Sequence, residues 1–372
     1  MKMDNLKQKV VFISTNSIYS GSEVLMLKTA KLLSEFLEIF VFTKYNCNQL
    51  RIKNSNINFL YPLKKQTFLN RLKNKFLNKT VDFKLNLIKI KPSLVIISQG
   101  SPLASLNEME ICIQLNIKFI VINQLVCEFH WSQIYDSLYL RFQNAYSHAN
   151  TIYFVSNQNE ELFKMLFGPI FSSKQINNPL SIDNCDYLEF PDTNVFKIAF
   201  VGRIEFFHKG LDLLIQVLKN PNWKKRNIQF NFYGEGPHKL LLLDLIDRYE
   251  LNFCILNEHT NDLIKVWNEN HLAILPSRFE GKSLSISEAM SVGRGVIATN
   301  VGGVEEQIED NKSGFICPSF TVESLSETLE RAWENRNDWK EIGKNARVKF
   351  IKDNQILPEK LLSNEIENII RI

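Results

Sequence analysis

No stretch of the 372 residues approaches the ~18 consecutive apolar residues of a membrane-spanning helix. The opening segment, "MKMDNLKQKVVFIST", has an apolar run far too short for a signal peptide, so the expected location is the cytoplasm. The six cysteines, Cys47, Cys112, Cys127, Cys185, Cys254 and Cys317, stand far apart. None forms a Cys-x-x-Cys pair or falls at metal-ligand spacing, so they read as reduced and mostly buried. There is no Asp-x-Asp and no His/Cys cluster, which sets the expectation of no catalytic metal and no cofactor. Charge of one sign is also scarce. With 44 basic and 40 acidic residues the net charge is +4, a mild excess that does not indicate nucleic acid as a partner. No short internal repeat is present.

What is present is alternation. Short apolar runs, "KVVFIS" (9–14), "EIFVFT" (38–43), "SLVIIS" (93–98), "KFIVIN" (118–123) and "TIYFVS" (151–156), are separated by helical patterns. Near-continuous apolar strands alternating with helices predict a parallel sheet covered on both faces. "NNPLSIDNCDYLEFPDTN" (177–194) breaks the rhythm with two prolines, several turn residues and no helical period. The alternation restarts with "FKIAFVG" (196–202), "IQFNFYG" (228–234), "FCILN" (253–257), "LAILP" (272–276) and "GVIAT" (295–299). The expected organisation is an N-terminal Rossmann-like domain over 1–180, a linker over 181–194 and a second Rossmann-like domain over 195–354. An amphipathic helix over 355–372 closes the chain and is expected to pack back on the first domain. Two doubly wound parallel sheets facing each other would make a central cleft at the carboxyl ends of their strands, where open α/β sheets bind ligands.

Polar and glycine-rich stretches follow several strands. "STNSIYSGSE" (14–23) leads into a helix, whose first N–H groups can hold a phosphate or can form a plain capped turn. In "VGRIEFFHKGLDLL" (201–214), Arg203 follows a strand and Lys209 stands at the next helix start. A cation there opposes the helix dipole, and a bound diphosphate would remove that conflict; the alternative is that both are solvated surface charges. "FYGEGPHKL" (232–240) carries Gly234 and Gly236, but Lys239 spoils a Gly-x-Gly-x-x-Gly reading, and a tight turn explains it as well. In "PSRFEGKSLSISEAMSVGRG" (276–295), Glu280 and Glu288 stand eight positions apart. Ser285-x-x-Glu288 matches a capping box, in which Glu288 would only close a helix start. With Ser283 as the N-cap, Glu288 falls in the second turn and is free for other work. The residues alone leave both starts open.

This last segment, extended through "GVIATNVGGVEEQIEDNKSGFI", resembles the signature of retaining glycosyltransferase family 4, whose members have the GT-B fold. The family's Glu-x7-Glu motif matches Glu280 and Glu288, and its Gly-Gly-x-x-Glu matches Gly302, Gly303 and Glu306. "VGRIEFFHKG" is similar to its Gly-Arg…Lys-Gly element, "YGEGP" to its Gly-x-Gly-Pro turn, and "YSGSE", in weakened form, to its Gly-Gly-x-Glu loop. The resemblance covers most of the C-terminal half and only thinly the N-terminal half. It implies that Arg203 and Lys209 bind a donor diphosphate and stabilise its charge as the sugar leaves. It implies that Glu280 contacts the transferred sugar, Glu288 the ribose, and the backbone around Gly281, Ser283 and Leu284 sugar or phosphate oxygens. Gly21 and Gly234 join that donor set. The implied activity is retaining transfer from a nucleotide sugar, most often a UDP-sugar, to a glycan or lipid-linked acceptor in surface polysaccharide assembly. Glu280 would orient and stabilise rather than attack.

Two departures stand out. The family's usual sugar-contacting histidine is replaced by Gln124, with Glu128 and His130 following; these three are expected on the sugar or acceptor side. "Gly-Lys-Ser" stands where "Gly-Phe-Gly" is common. Other readings on the same fold are a sugar-nucleotide epimerase, a phosphorylase and a non-catalytic nucleotide-sugar-binding relative. One basic segment lies outside the resemblance: residues 64–91 hold nine Lys or Arg and one Asp, with Leu69, Leu72, Phe76 and Leu77 at helical spacing. It fits an anionic membrane surface on the inner face of the cell membrane, or a solvated helix packed on the sheet.

Overall fold

The computed structural model describes residues 7–15, 21–43, 57–60, 77–169, 172–180, 182, 186–258 and 260–371. They form two compact units: 1–179 together with 356–372, and 180–355.

The first unit holds seven parallel strands: β1 (Lys9–Ser14), β2 (Glu38–Phe42), β3 (Ile57–Leu60), β4 (Leu94–Gln99), β5 (Phe119–Asn123), β6 (Thr151–Phe154) and β7 (Ser173–Gln175). Their order is β3-β2-β1-β4-β5-β6-β7, so the direction of winding reverses between β1 and β4. Both faces are buried, which is why the strands are apolar at successive positions. On β1, Val11 and Ile13 face one apolar layer, shared with Phe83, Leu87, Phe142 and Phe163. Val10 and Phe12 face the other, shared with Leu25, Met26, Leu362 and Ile366.

The last two of these residues come from the closing helix, Pro358–Arg371, which packs on the helix Gly21–Leu33. Leu362 and Ile366 are fully buried, worth roughly 1.5–3 kcal/mol each relative to exposure. Lys174 Nζ meets Glu365 at 2.5 Å beside them. Thus the chain's end belongs to the unit that holds its beginning.

The second unit holds β8 (Phe196–Val201), β9 (Ile228–Tyr233), β10 (Cys254–Leu256), β11 (Leu272–Leu275), β12 (Gly295–Thr299) and β13 (Gly314–Cys317), in the order β10-β9-β8-β11-β12-β13 and all parallel. Here the winding reverses between β8 and β11. Three strands, β3, β7 and β13, lie outside the apolar runs read from the sequence, and all three are sheet edges.

Residues 186–191, expected as linker, are bound to the second unit. Buried Arg294 donates to the Leu188 carbonyl at 3.0 Å and the Glu189 carbonyl at 2.7 Å, and Leu188 N–H donates to Val292 at 3.1 Å. Cys112, Cys127, Cys254 and Cys317 are buried free thiols; Cys47 and Cys185 lie outside the described residues. Among the described residues no helix is long and apolar enough to cross a membrane.

Candidate active site

The reversal between β8 and β11 places two loops side by side at the carboxyl end of the sheet, where such folds bind ligands. One loop follows β8 and carries Arg203 and Lys209. The other follows β11 and carries Glu280.

The β8 loop is shaped from below by the turn after β9. Gly202 N–H donates to the Tyr233 carbonyl and Ile204 N–H to the Glu235 carbonyl, both at 3.0 Å. Gly234 therefore sits against the Gly202 backbone and supports the loop that presents Arg203. The following helix starts at Lys239, with His238 as its N-cap. Arg203 is exposed and, among the described residues, its side chain has no hydrogen-bond or ion-pair partner.

Lys209 ends the short helix Phe206–Lys209 and precedes Gly210, the N-cap of Leu211–Leu218. Gly210 has φ +63, and a Cβ there would lie 1.8 Å from the Pro276 carbonyl oxygen. Only glycine permits that approach, and it brings Lys209 against the β11 loop. Lys209 Nζ then lies 2.5 Å from Glu280 Oε1. Ser277 Oγ donates to the same oxygen at 2.7 Å, and His208 Nε2 lies 3.9 Å from it. Glu280 is buried. Burial alone would raise its carboxyl pKa, but the charges of Lys209 and His208 and the hydrogen bonds from Lys209 and Ser277 outweigh burial. The net result lies below the ordinary carboxylate value.

The far wall comes from the turn after β12. Gly302 has φ +60, and a Cβ there would meet the Glu280 carbonyl oxygen at 2.2 Å. Gly303 N–H donates to the Gly281 carbonyl at 2.7 Å. The Gly-Gly pair thus fixes the backbone that carries Glu280 and Gly281. Lys282, in the "Gly-Lys-Ser" departure, turns toward Glu306 at 3.8 Å.

The helix after this loop runs Leu284–Ser291, with Ser283 as N-cap. Ser285 is therefore its second residue, and no Ser285–Glu288 capping box can form. Glu288 stands in the second turn and is buried. Ser283 makes no side-chain cap bond, but its carbonyl accepts from Gln307 Nε2 at 3.0 Å.

In the first unit, Gly21 opens the helix Gly21–Leu33; residues 16–20 before it lie outside the described residues. Glu23 is fully buried and accepts from Ser14 Oγ at 2.7 Å. Gln124 follows β5. Its Oε1 accepts from Asn178 at 2.7 Å, while its Nε2 is buried without a partner. Glu128 is exposed at the start of a 3-10 turn, Glu128–Gln133. His130 is buried and its Nδ1 accepts from the Cys127 N–H at 3.2 Å. Burial lowers its pKa, so the ring is neutral and closes this turn.

Residues 189–349 match the family model described as "Glycosyl transferases group 1". The match lies within the second unit and covers most of it.

Among curated relatives, alpha-D-kanosaminyltransferase of Streptomyces kanamyceticus is 30% identical over 36% of this chain and 35% of its own length. Poly(ribitol-phosphate) alpha-N-acetylglucosaminyltransferase of Staphylococcus aureus is 30% identical over 39% of this chain and 30% of its own. The matched stretch thus spans about a third of each relative. Among solved structures, Anabaena HepE in complex with UDP and glucose superposes with a TM-score of 0.76, covering 98% of this chain and 99% of that one at 17% identity. That likeness speaks for the fold: two Rossmann-like parallel-sheet units, the GT-B fold.

Several residues of the second unit that hold the site were missed from sequence. Arg278 grips Asp212 bidentately at 2.7 and 2.6 Å and donates to the Phe207 carbonyl at 3.0 Å. Arg278 N–H also donates to the His208 carbonyl at 2.9 Å, so this residue staples the β8 and β11 loops together. Gln307 ties the helix start at Ser283 to Ser287 Oγ, at 2.8 Å. An Arg-Asp pair 66 positions apart has no local signal; "Ser-Arg-Phe-Glu" showed only that a charged residue precedes Glu280.

Proposed function

We propose that this chain is a retaining glycosyltransferase, taking a sugar from a nucleotide-sugar donor, most simply a UDP-sugar, to a glycan or lipid-linked acceptor. The observation that carries it is the buried Lys209–Glu280–Ser277 cluster at the winding reversal, with exposed Arg203 on the adjoining loop. Arg203 supplies a planar fork and Lys209 a point charge for the diphosphate, and both stabilise the charge that grows as the sugar–phosphate bond breaks. Glu280, held ionised and in one place, orients the sugar. Glu288 binds the ribose. The front-face route passes the acceptor proton to the leaving phosphate oxygen, so no attacking carboxylate is needed. Both relatives are named for alpha linkages, which a retaining enzyme makes from an alpha-configured donor.

In the first unit, Gln124 offers a buried amide N–H toward a sugar or acceptor hydroxyl. Surface polymer assembly is the setting we favour, with contact to an anionic membrane through residues 64–91. Residues 64–76 lie outside the described residues. From Leu77 a helix runs to Ile90, burying Phe83, Leu87 and Ile90 and exposing Leu85, Ile88 and Lys89.

The test is a thermal-shift panel of nucleotide sugars followed by turnover. A saturating donor stabilises the fold by RT ln(1 + [L]/Kd). If no donor raises the melting temperature, the reading fails.

A further inference from the structure

His208 precedes Lys209 and touches Glu280 more closely than any sequence motif foretold. Its ring stacks on Phe279, with centroids 4.5 Å apart and planes 17° from parallel. The Phe279 backbone also bonds the ring. The ring's Nε2 is buried, has no hydrogen-bond partner, and lies 3.9 Å from Glu280 Oε1.

A neutral imidazole has one N–H. With that proton on Nδ1, Nε2 points a lone pair toward a carboxylate. The imidazolium carries an N–H on both nitrogens and so faces the carboxylate with Nε2–H whichever tautomer precedes it. In the free protein burial opposes that charge first, Glu280 and Glu205 favour it, and the Lys209 ammonium opposes it; the balance keeps the ring neutral near pH 7. Lys209 meanwhile meets the need of Glu280.

A diphosphate engaging Lys209 would shift that balance. It competes for Nζ, weakens the hold on Glu280 and adds negative charge beside the ring. We propose that His208 is a positioning residue for Glu280, taking up a proton from solvent as the donor diphosphate engages Lys209 and then holding Glu280 through Nε2–H. The gap closes by about 1 Å to reach hydrogen-bond distance. This role rests on the donor-site reading above.

The experiment is isothermal titration calorimetry near pH 7 with UDP-glucose, GDP-mannose and ADP-glucose, in two buffers of different ionisation enthalpy. These diphosphates exchange no proton of their own near neutrality. Wild-type protein should show buffer-dependent enthalpy, with uptake on the order of one proton per site. His208→Phe keeps the stack on Phe279 and should bind with no uptake. Its turnover, read as release of nucleoside diphosphate, should fall about tenfold in kcat with little change in KM. His208→Gln, whose amide donates without a proton, should recover part of kcat and still show no uptake. Buffer-independent enthalpy in the wild type, or uptake surviving in His208→Phe, overturns the role. Should His208→Phe not fold, the wild-type buffer dependence and His208→Gln decide alone. If none of the three nucleotides binds, the donor-site reading falls first and this role with it; if they bind without uptake, this role falls alone.

Discussion

Lys209 Nζ and Glu280 Oε1 stand 2.5 Å apart, and both side chains are mostly buried. Removing either partner leaves a buried charge uncompensated. Lys209→Ala should therefore destabilise the fold by about 3–5 kcal/mol and also weaken binding of a nucleoside diphosphate. Glu280→Gln keeps the shape and the hydrogen bond from Ser277. It should spare nucleotide binding and cut turnover by about 100-fold or more. Melting curves, nucleotide titration and turnover on the two variants separate these effects. A Glu280→Gln enzyme of full activity would remove Glu280 from the mechanism.

Glu288 can now be tested without the capping alternative. With Ser283 as N-cap of Leu284–Ser291, Glu288 stands in the second turn, outside the capping box. Glu288→Gln should weaken nucleotide binding by about tenfold, the scale of one charge-assisted hydrogen bond. A large fall in melting temperature at unchanged affinity would assign it a structural role.

The sheet interiors were legible because a strand buried on both faces must be apolar at nearly every position. "LVIIS" and "GVIAT" leave no other reading. Edge strands lack that constraint: β7 is "SKQ", and β3 is partly exposed along its length. The Glu-x7-Glu spacing drew attention to Glu280, and Gly210 and Gly302 now have a steric reason for being glycine. His208 and Arg278 gave no such signal. Their partners, Glu280 and Asp212, are distant in sequence and meet only when the strand order reverses between β8 and β11.

Arg278 is the test of that long-range staple. Arg278→Ala leaves Asp212 without its bidentate partner and removes the side-chain bonds that tie the β8 loop to the β11 loop, while the main-chain bond to the His208 carbonyl remains. A cost of about 2–4 kcal/mol is expected, because the pair is only partly buried and three backbone and side-chain bonds go together. Arg278→Lys should recover little, since an ammonium cannot make the planar two-point contact. Differential scanning calorimetry of the three proteins checks the order wild type, Lys, Ala, with Lys close to Ala.

His271 gives the fold a pH dependence that can be assigned to one residue. Its Nδ1 accepts from the Lys197 N–H at 2.9 Å, and the ring also bonds the Pro191 backbone, so the neutral form fits the site. Burial, then the charge of nearby Arg294, lowers its pKa from 6.5 to about 4. The unfolded chain therefore binds a proton between those values while the folded protein does not. Stability from this residue is full above about pH 6.5 and declines as pH falls toward about 4; below that both states carry the proton. His271→Asn should have lower stability at neutral pH and a flatter stability profile across that window. Urea melts at closely spaced pH values measure the slope. A wild-type slope unchanged in the variant would place the titration on another group.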